Sequence, residues 1–349
     1  MKIVYCTDIH DALEDLQALL RETQADLYLL SGDILYKAFH EDEKILQFVT
    51  LQEELYELAQ KRHEKIYLFD LAADILRFPG RYDRDEDLML SAVEYRLLFN
   101  KAAKIMKEKY DFIEKIIQEH GHAECRLLPG NYDIDLRYTA LDSRSMHQKT
   151  MTFQGLKIAG YGGAPIATSG IPEKLAVVFH EHQEDGLLYS EPEHFFMETE
   201  PDIIMIHNPA YGFLDRIPGL GHVGSQGIRN YLDSHSPSLV LSGHVHEDYG
   251  LIYLKKGVVF LNPSNFGGVD SPFGRQEGGA FAEIYFEGRE LRRIQLNRLV
   301  EGRNHPLLEV DFSEPAPRGR IFSGAREVSH LSLDDFTRDP YGSPMEMEG

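Results

Sequence analysis

The chain has 349 residues, 42% of them hydrophobic, so it can bury the core of one large α/β domain or of a domain with a substantial insertion. Its formal net charge of −21 repels phosphate backbones, which disfavours nonspecific nucleic-acid binding. The two cysteines, Cys6 and Cys125, fall in predicted buried strands, and we see no signal peptide and no apolar run of membrane-spanning length. We therefore expect core thiols, no membrane contact and a soluble cytoplasmic protein.

Five short apolar runs are typical of buried strands, and a cluster of polar side chains follows each of them. In chain order the runs span residues 2–6, 26–30, 125–128, 203–206 and 239–241. The metal-ligand types behind them are Asp8 and His10, Asp33, Asn131, His207, and His244 with His246. Open α/β sheets bind ligands at the carboxyl ends of their strands, so we expect these side chains to share one site. Oxygen and imidazole ligands suit Mn, Fe, Zn, Ni or Mg and argue against a structural zinc knot.

The first cluster, Asp8 and His10, is predicted to lie in a strand-to-helix loop. Asp11 and Glu14 have the spacing of a capping box for a helix over residues 12–23, whose leucines share one face.

Two pairs of candidate ligands, Asp8 with His10 and His244 with His246, are each separated by a single residue. In a strand-like segment both members of such a pair point to the same side. Taken alone, either pair is more often a surface or hydrogen-bonded polar pair than a metal site. Their combination with the three other clusters favours a metal site.

The gap between Asp33 and Gly130 is far longer than the roughly 30 residues that a βαβ unit needs. Apolar residues within 41–63 and 85–120 recur at three-and-four spacing, which predicts helices. We interpret residues 37–120 as a helical insertion, most simply a packed hairpin that covers one side of the sheet. Because the insertion begins beside Asp33, we also predict that it reaches the mouth of the site and limits substrate size.

Further apolar runs within residues 151–161 and 258–296 predict more strands. The expected architecture is α/β, with two packed mixed β-sheets flanked by helices and a helical insertion. One domain would span residues 1–302. Residues 303–349 are rich in Pro, Gly, Ser and charge, which predicts an extended or disordered tail, either free or draped on a partner subunit of a homo-oligomer.

Read in order, the clusters are Asp8-Ile9-His10, Gly32-Asp33, Gly130-Asn131-Tyr132-Asp133, His207 and Gly243-His244-Val245-His246. This order resembles the signature of the calcineurin-like metallophosphoesterase superfamily, over the segments 1–36, 120–165 and 200–268. The stretch from His207 to Gly250 looks most like the branch of small phosphodiesterases that includes the metallophosphoesterase-domain-containing proteins of animals. One position departs from the pattern, since the histidine usual after Gly-Asn is Tyr132 here.

The resemblance implies a metallophosphoesterase-like α/β sandwich that holds two divalent metal ions, with manganese favoured. Matched by motif, the first ion would be held by Asp8, His10, Asp33 and His246. The second would be held by Asp33, Asn131, His207 and His244, so that Asp33 bridges the two. The resemblance further implies hydrolysis by a metal-bound hydroxide. The residues expected to act in catalysis are Asn131, Tyr132, Asp133 and His244.

Tyr132 admits two interpretations. The usual histidine is expected to protonate the leaving oxygen or to stabilise transition-state charge, and a tyrosine with an ordinary pKa near 10 can still donate a hydrogen bond. Alternatively, Tyr132 packs beside the site and the enzyme is slow. In the family Asp133 orients the missing histidine, so here we expect it to be a turn acceptor.

Two functions from different classes follow. The first is a dinuclear metal-dependent phosphoesterase for small phosphodiesters or phosphomonoesters, nucleotides among them. The alternative, motivated by Tyr132, is a catalytically weakened protein that binds a nucleotide or metal. In both cases the expected partner is a small phosphoester and not a nucleic acid.

Overall fold

Two large mixed β-sheets lie face to face, with helices on their outer faces, in the computed structural model, which describes residues 1–166, 168–254, 256–271, 274–314, 316–325 and 328. The first strands are β1 (Lys2–Thr7), β2 (Leu27–Ser31), β3 (Glu124–Leu128), β4 (Lys149–Phe153), β5 (Leu156–Tyr161), β6 (Glu181–Glu184), β7 (Leu187–Ser190), β8 (Ile203–Ile206), β9 (Arg216–Ile217) and β10 (Gly221–His222). The later strands are β11 (Leu239–Leu241), β12 (Gly250–Tyr253), β13 (Val259–Asn262), β14 (Val269–Ser271), β15 (Gly274–Gln276), β16 (Ala280–Glu287), β17 (Glu290–Val300), β18 (Arg303–Asp311) and β19 (Arg318–Ile321). The α-helices are α1 (Leu13–Glu22), α2 (Asp42–Lys61), α3 (Leu68–Arg77), α4 (Glu86–His120), α5 (Glu191–Thr199) and α6 (Gln226–Ser234).

The first sheet has seven strands in the order β19-β18-β17-β16-β1-β2-β3, and β1, β2 and β3 run parallel. The second has six in the order β12-β13-β11-β8-β5-β4, with β5, β8, β11 and β13 parallel. The carboxyl ends of β1–β3 therefore lie at one edge of the first sheet, and those of β8 and β11 at one edge of the second. This arrangement confirms the predicted fold class.

The alternation of side chains along β1 shows how the core is layered. Ile3 and Tyr5 belong to the apolar cluster between the two sheets, whereas Val4 and Cys6 belong to the cluster beneath the helices. Cys6 and Cys125 are buried free thiols, as the sequence predicted.

Residues 42–120 form the three helices α2, α3 and α4 on the outer face of the first sheet, where the sequence suggested a hairpin. Phe48 of α2 and Tyr95 and Tyr110 of α4 share one buried cluster with Val4 of β1. The insertion is therefore part of the main core.

Two local predictions were wrong. Helix α1 begins at Leu13 without a side-chain cap, and the Asp11 carboxylate instead accepts hydrogen bonds from the backbone N–H groups of Tyr36 and Lys37. The boundary predicted at residue 302 does not end the domain, because β18 and β19 extend the first sheet. Strand β19 forms the edge of this sheet, and both added strands are largely exposed, which explains their polar composition. Residues 329–349 lie outside the described residues, so a terminal tail stays a prediction there.

None of the helices in the described ranges combines the length and the hydropathy that crossing a bilayer requires.

Candidate metal centre

The seven candidate ligands all lie in loops that directly follow a strand. Asp8 and His10 follow β1, Asp33 follows β2, Asn131 follows β3, His207 follows β8, and His244 and His246 follow β11. The two packed sheets bring these loops together, so the predicted convergence at the strand ends is present.

Six of these side chains form two adjacent groups. Within each group the candidate ligand atoms lie within 4.8 Å of one another: Asp8, His10 and His246 in one, and Asp33, His207 and His244 in the other. In the first group, Asp8 Oδ1 lies 3.2 Å from His246 Nε2 and 3.8 Å from His10 Nε2. The two Nε2 atoms are themselves 3.3 Å apart.

Asn131 joins the second group. Its Oδ1 lies 3.0 Å from His207 Nε2, which is also 3.4 Å from Asp33 Oδ2. The Asn131 Nδ2 donates to Thr168 Oγ1 over 2.9 Å, and this bond aims the amide oxygen at His207. The rings of His207 and His244 meet edge to face with their centroids 5.0 Å apart.

The backbone at four candidate ligands adopts the left-handed region, which a non-glycine residue seldom enters. The φ angles are 55° at Asp8, 46° at His10, 39° at Asp33 and 67° at His244. The prediction that each pair lies in a strand-like segment was therefore wrong. Asp8 and His10 nevertheless meet in one group, whereas His244 and His246 belong to different groups. Contacts between loops hold this strained backbone, since Asp8 N–H donates to Ser31 O and His10 N–H donates to Asp33 O.

Close approach explains the glycines of the motifs. A Cβ at Gly130 would lie 2.2 Å from Asp33 Oδ1, and one at Gly243 would lie 2.4 Å from Asp8 Oδ2. A Cβ at Gly32 would lie 1.8 Å from His207 Nδ1. The glycines thus leave room for the candidate ligands to pack against backbone.

The carboxylates stabilise positive charge in this buried site. Burial alone would raise the pKa of Asp8, but His246 and the other imidazoles hold it below its usual range. Burial would lower the pKa of His207, but Asp33 raises it to about 9. His244 has its pKa lowered to about 4, chiefly by burial and then by His207. The two carboxylates Asp8 and Asp33 therefore stay ionised and favour positive charge beside them, as the binding of a divalent cation requires.

The donor set fits divalent metals. Three Lewis-basic atoms converge in the first group, and a single proton cannot satisfy all three. Carboxylate oxygens and imidazoles are ligands that Mn, Fe, Zn and Ni accept.

The two residues after Asn131 have different surroundings. Tyr132 is half-buried, and its ring centroid lies 6.4 Å from that of His10 and 6.0 Å from that of Tyr36. The Tyr132 N–H donates to Asp33 Oδ1 over 2.8 Å.

Asp133 is fully buried and accepts from Gly130 N–H at 2.7 Å and Ile34 N–H at 2.9 Å. These contacts tie two ligand loops together, so Asp133 is placed to position them. Its part in catalysis stays a prediction.

Sequence reasoning missed two supports from helix α4. Lys109 Nζ bonds to both carboxylate oxygens of Asp11 at 2.9 Å and to Lys37 O at 2.7 Å. Tyr110 donates to Asp133. The spacing of apolar residues marks the buried side of α4 but does not indicate which loop that side contacts.

The family model for the calcineurin-like phosphoesterases matches residues 1–248. One similar crystal structure aligns with a TM-score of 0.52 at 18% identity and covers 86% of this chain and 99% of that chain. At that identity the similarity shows the fold alone. No curated protein matches the chain.

Two other solved structures are more distant. Wild-type Vps29 from Entamoeba histolytica, complexed with Zn²⁺, has a TM-score of 0.37 and 13% identity, covering 90% of this chain and 100% of that chain. A conserved uncharacterized protein of Streptococcus pneumoniae TIGR4, described as a predicted phosphoesterase, has a TM-score of 0.33 and 9% identity, covering 88% and 97%.

Proposed function

Because the chain belongs to the calcineurin-like phosphoesterase family, a family of metal-dependent phosphoesterases, we propose that it hydrolyses small phosphodiesters or phosphomonoesters with two divalent metal ions. The observation that carries the proposal is the pair of adjacent ligand groups, one built on Asp8 and the other on Asp33. Two neighbouring cation sites are what an in-line displacement at phosphorus uses.

The proposed ligands follow from the contacts. Asp8, His10 and His246 would hold one ion, and Asn131, His207 and His244 the other, with Asp33 shared between them. Burial of Asp33 beside the imidazoles of both groups supports its bridging role, since it is under the electrostatic influence of His207 and of His10. The metals, when bound, would polarise the phosphoryl group and lower the pKa of the attacking water. We propose Mn²⁺ as the metal for the tests below.

The chain's own residues supply position and hydrogen bonds. Asn131 keeps its Oδ1 toward His207 while Thr168 takes one amide hydrogen, which leaves the second hydrogen for a phosphoryl oxygen. Tyr132 stands at the His10 side of the centre, where its hydroxyl could donate to a substrate oxygen. Burial, with a contribution from Asp33, raises the pKa of Tyr132, so the hydroxyl keeps its proton at neutral pH.

Metal analysis joined to a substrate panel tests the proposal. Purified protein loaded with Mn²⁺ should contain two metal ions per chain and hydrolyse bis(4-nitrophenyl) phosphate or 4-nitrophenyl phosphate, and chelation should abolish turnover. Two bound metals without turnover of any ester would instead favour the catalytically weakened binding protein. Failure to bind metal would reject the phosphoesterase and would leave nucleotide binding as the only part of the alternative still standing.

A further inference from the structure

A cleft of about 350 Å³ lies between helix α2 and the loops that carry Tyr36 and Tyr132. Its volume is that of a small ligand pocket. We propose that this cleft binds an aromatic organic group of the phosphoester substrate, such as an aryl ring or a nucleobase. The proposal rests on the phosphoesterase function and names the class of substrate that the insertion selects.

The cleft lies beside the candidate metal centre. Tyr36 and Tyr132 both line it, and their ring centroids lie 5.2 Å and 6.4 Å from that of His10. An ester whose phosphoryl group sits at the centre can therefore extend its organic group past the two tyrosine rings. This proximity to the centre favours the organic group of the substrate as the occupant.

The walls of the cleft are suited to a flat apolar group. Ile45 and Val49, one helical turn apart on α2, form one side together with Leu46, and the two tyrosines offer aromatic surface on the other. Aromatic side chains favour offset or edge contacts with other rings. The charged lining residues Lys37 and Asp42 form an ion pair with each other at 3.0 Å, so they partly neutralise one another.

The base of the cleft is fixed to both the insertion and the metal centre. Buried Gln52 of α2 donates to Ile171 O at 2.9 Å and accepts from Gly170 N–H at 2.7 Å. Thr168, in the same loop, holds the Asn131 amide. The insertion thus contributes the wall and fixes the loop beneath it, which pre-organises the cleft for its ligand.

Calorimetric titration of the Mn²⁺-loaded protein with phenylphosphonate and methylphosphonate tests the proposal without turnover. The two probes share the phosphonate group and differ in the aromatic ring. We expect phenylphosphonate to bind about tenfold tighter, because a buried ring contributes roughly that much. Equal affinities would overturn the cleft proposal while leaving the phosphoesterase function intact. If neither probe binds and no ester is hydrolysed, the proposed function itself fails.

Variants at neighbouring positions of α2 test whether the preference for phenylphosphonate arises in the cleft. Val49→Trp fills the cleft and should reduce the preference for phenylphosphonate to less than about threefold, with methylphosphonate affinity unchanged. The matched control is Thr50→Trp, because Thr50 is exposed and does not line the cleft. Where Val49→Trp fails to fold, Leu46→Ser serves, since Leu46 is 68% exposed and tolerates change. A folded cleft variant that keeps the full preference would overturn the proposal.

Discussion

The hydroxyl of Tyr110, on the insertion helix α4, donates to Asp133 Oδ1 over 2.6 Å. Asp133 also accepts backbone hydrogen bonds from the loops that carry Asp33 and Asn131. The insertion is therefore connected to the candidate metal centre by a buried hydrogen-bond network. Replacing the centre of the insertion with a short linker would remove this support, so such a deletion cannot be expected to leave metal binding intact.

Removal of the Tyr110 hydroxyl should weaken both stability and metal binding. Tyr110→Phe leaves a buried carboxylate with one donor fewer, which costs about 1–3 kcal/mol. We expect a lower melting temperature and weaker Mn²⁺ binding by calorimetry.

The matched control is Tyr95→Phe on the same helix. Tyr95 donates to Glu173 Oε2 over 2.5 Å, and Glu173 lies between β5 and β6, in a loop that carries none of the candidate ligands. The control should lower the melting temperature but spare metal affinity. Equal metal loss in the two variants would show that Tyr110 acts through general stability alone.

The sequence motifs located the candidate centre, but they did not predict the backbone conformation of its ligands. Strand ends and ligand types were readable because apolar runs and polar clusters alternate in the sequence. The left-handed conformations of Asp8 and Asp33 were not, because they depend on hydrogen bonds between loops from different strands. The role of Asp11 was missed for the same reason, since its spacing to Glu14 suits a cap while Lys109 and a distant loop compete for it.

A test of the shared ligand is Asp33→Asn. The amide removes the negative charge that offsets repulsion between two cations, so both sites should weaken and ester hydrolysis should be lost. Elemental analysis should find fewer than two metals per chain. Asp26→Asn is the control, because exposed Asp26 precedes β2 at the opposite end from Asp33. Full activity of Asp33→Asn with two bound metals would exclude Asp33 as the bridge.

The departure at Tyr132 is tested by Tyr132→His with Tyr132→Phe beside it. An imidazole supplies a proton near neutral pH, and general acid catalysis contributes about 10²–10⁴-fold. If the missing histidine limits turnover, Tyr132→His should accelerate alkyl esters more than nitrophenyl esters, whose leaving group needs no proton. Equal changes for both esters, matched by Tyr132→Phe, would assign Tyr132 to packing or substrate contact.

His147 should make the fold sensitive to acid. Its Nδ1 accepts from Gly162 N–H over 3.0 Å, so the folded protein requires the neutral ring. Burial lowers its pKa to about 4, with smaller influences from Asp135, Arg137, Glu191 and His180. The unfolded chain has a histidine pKa near 6.5 and so binds this proton more readily. The contribution of His147 to the free energy of unfolding is therefore fully present above pH 6.5. It is lost as the pH drops toward 4, by at most about 3 kcal/mol.

Urea unfolding between pH 4 and 7 measures this loss. His147→Asn retains an acceptor but does not titrate, so its stability should fall less with acid than that of the parent protein. The control His63→Asn changes an exposed histidine and should follow the parent curve. Parallel curves for all three proteins would remove His147 as the acid-sensitive group.

Gly243 should be intolerant of even a methyl group. A Cβ there would lie 1.9 Å from Thr7 Oγ1 and 2.4 Å from Asp8 Oδ2, and both neighbours are fully buried and hydrogen-bonded to each other. Something must shift, and the Asp8 carboxylate is the group whose displacement matters for metal binding. We expect Gly243→Ala to cost about 1–3 kcal/mol of stability and to weaken the metal site built on Asp8 and His10, measured by Mn²⁺ titration.

Gly80→Ala is the matched control, since a Cβ at Gly80 meets no atom within 4 Å, and it should retain both metals and parental stability. If Gly243→Ala matched Gly80→Ala in both measurements, the close packing of Gly243 on Asp8 would not be what positions this ligand.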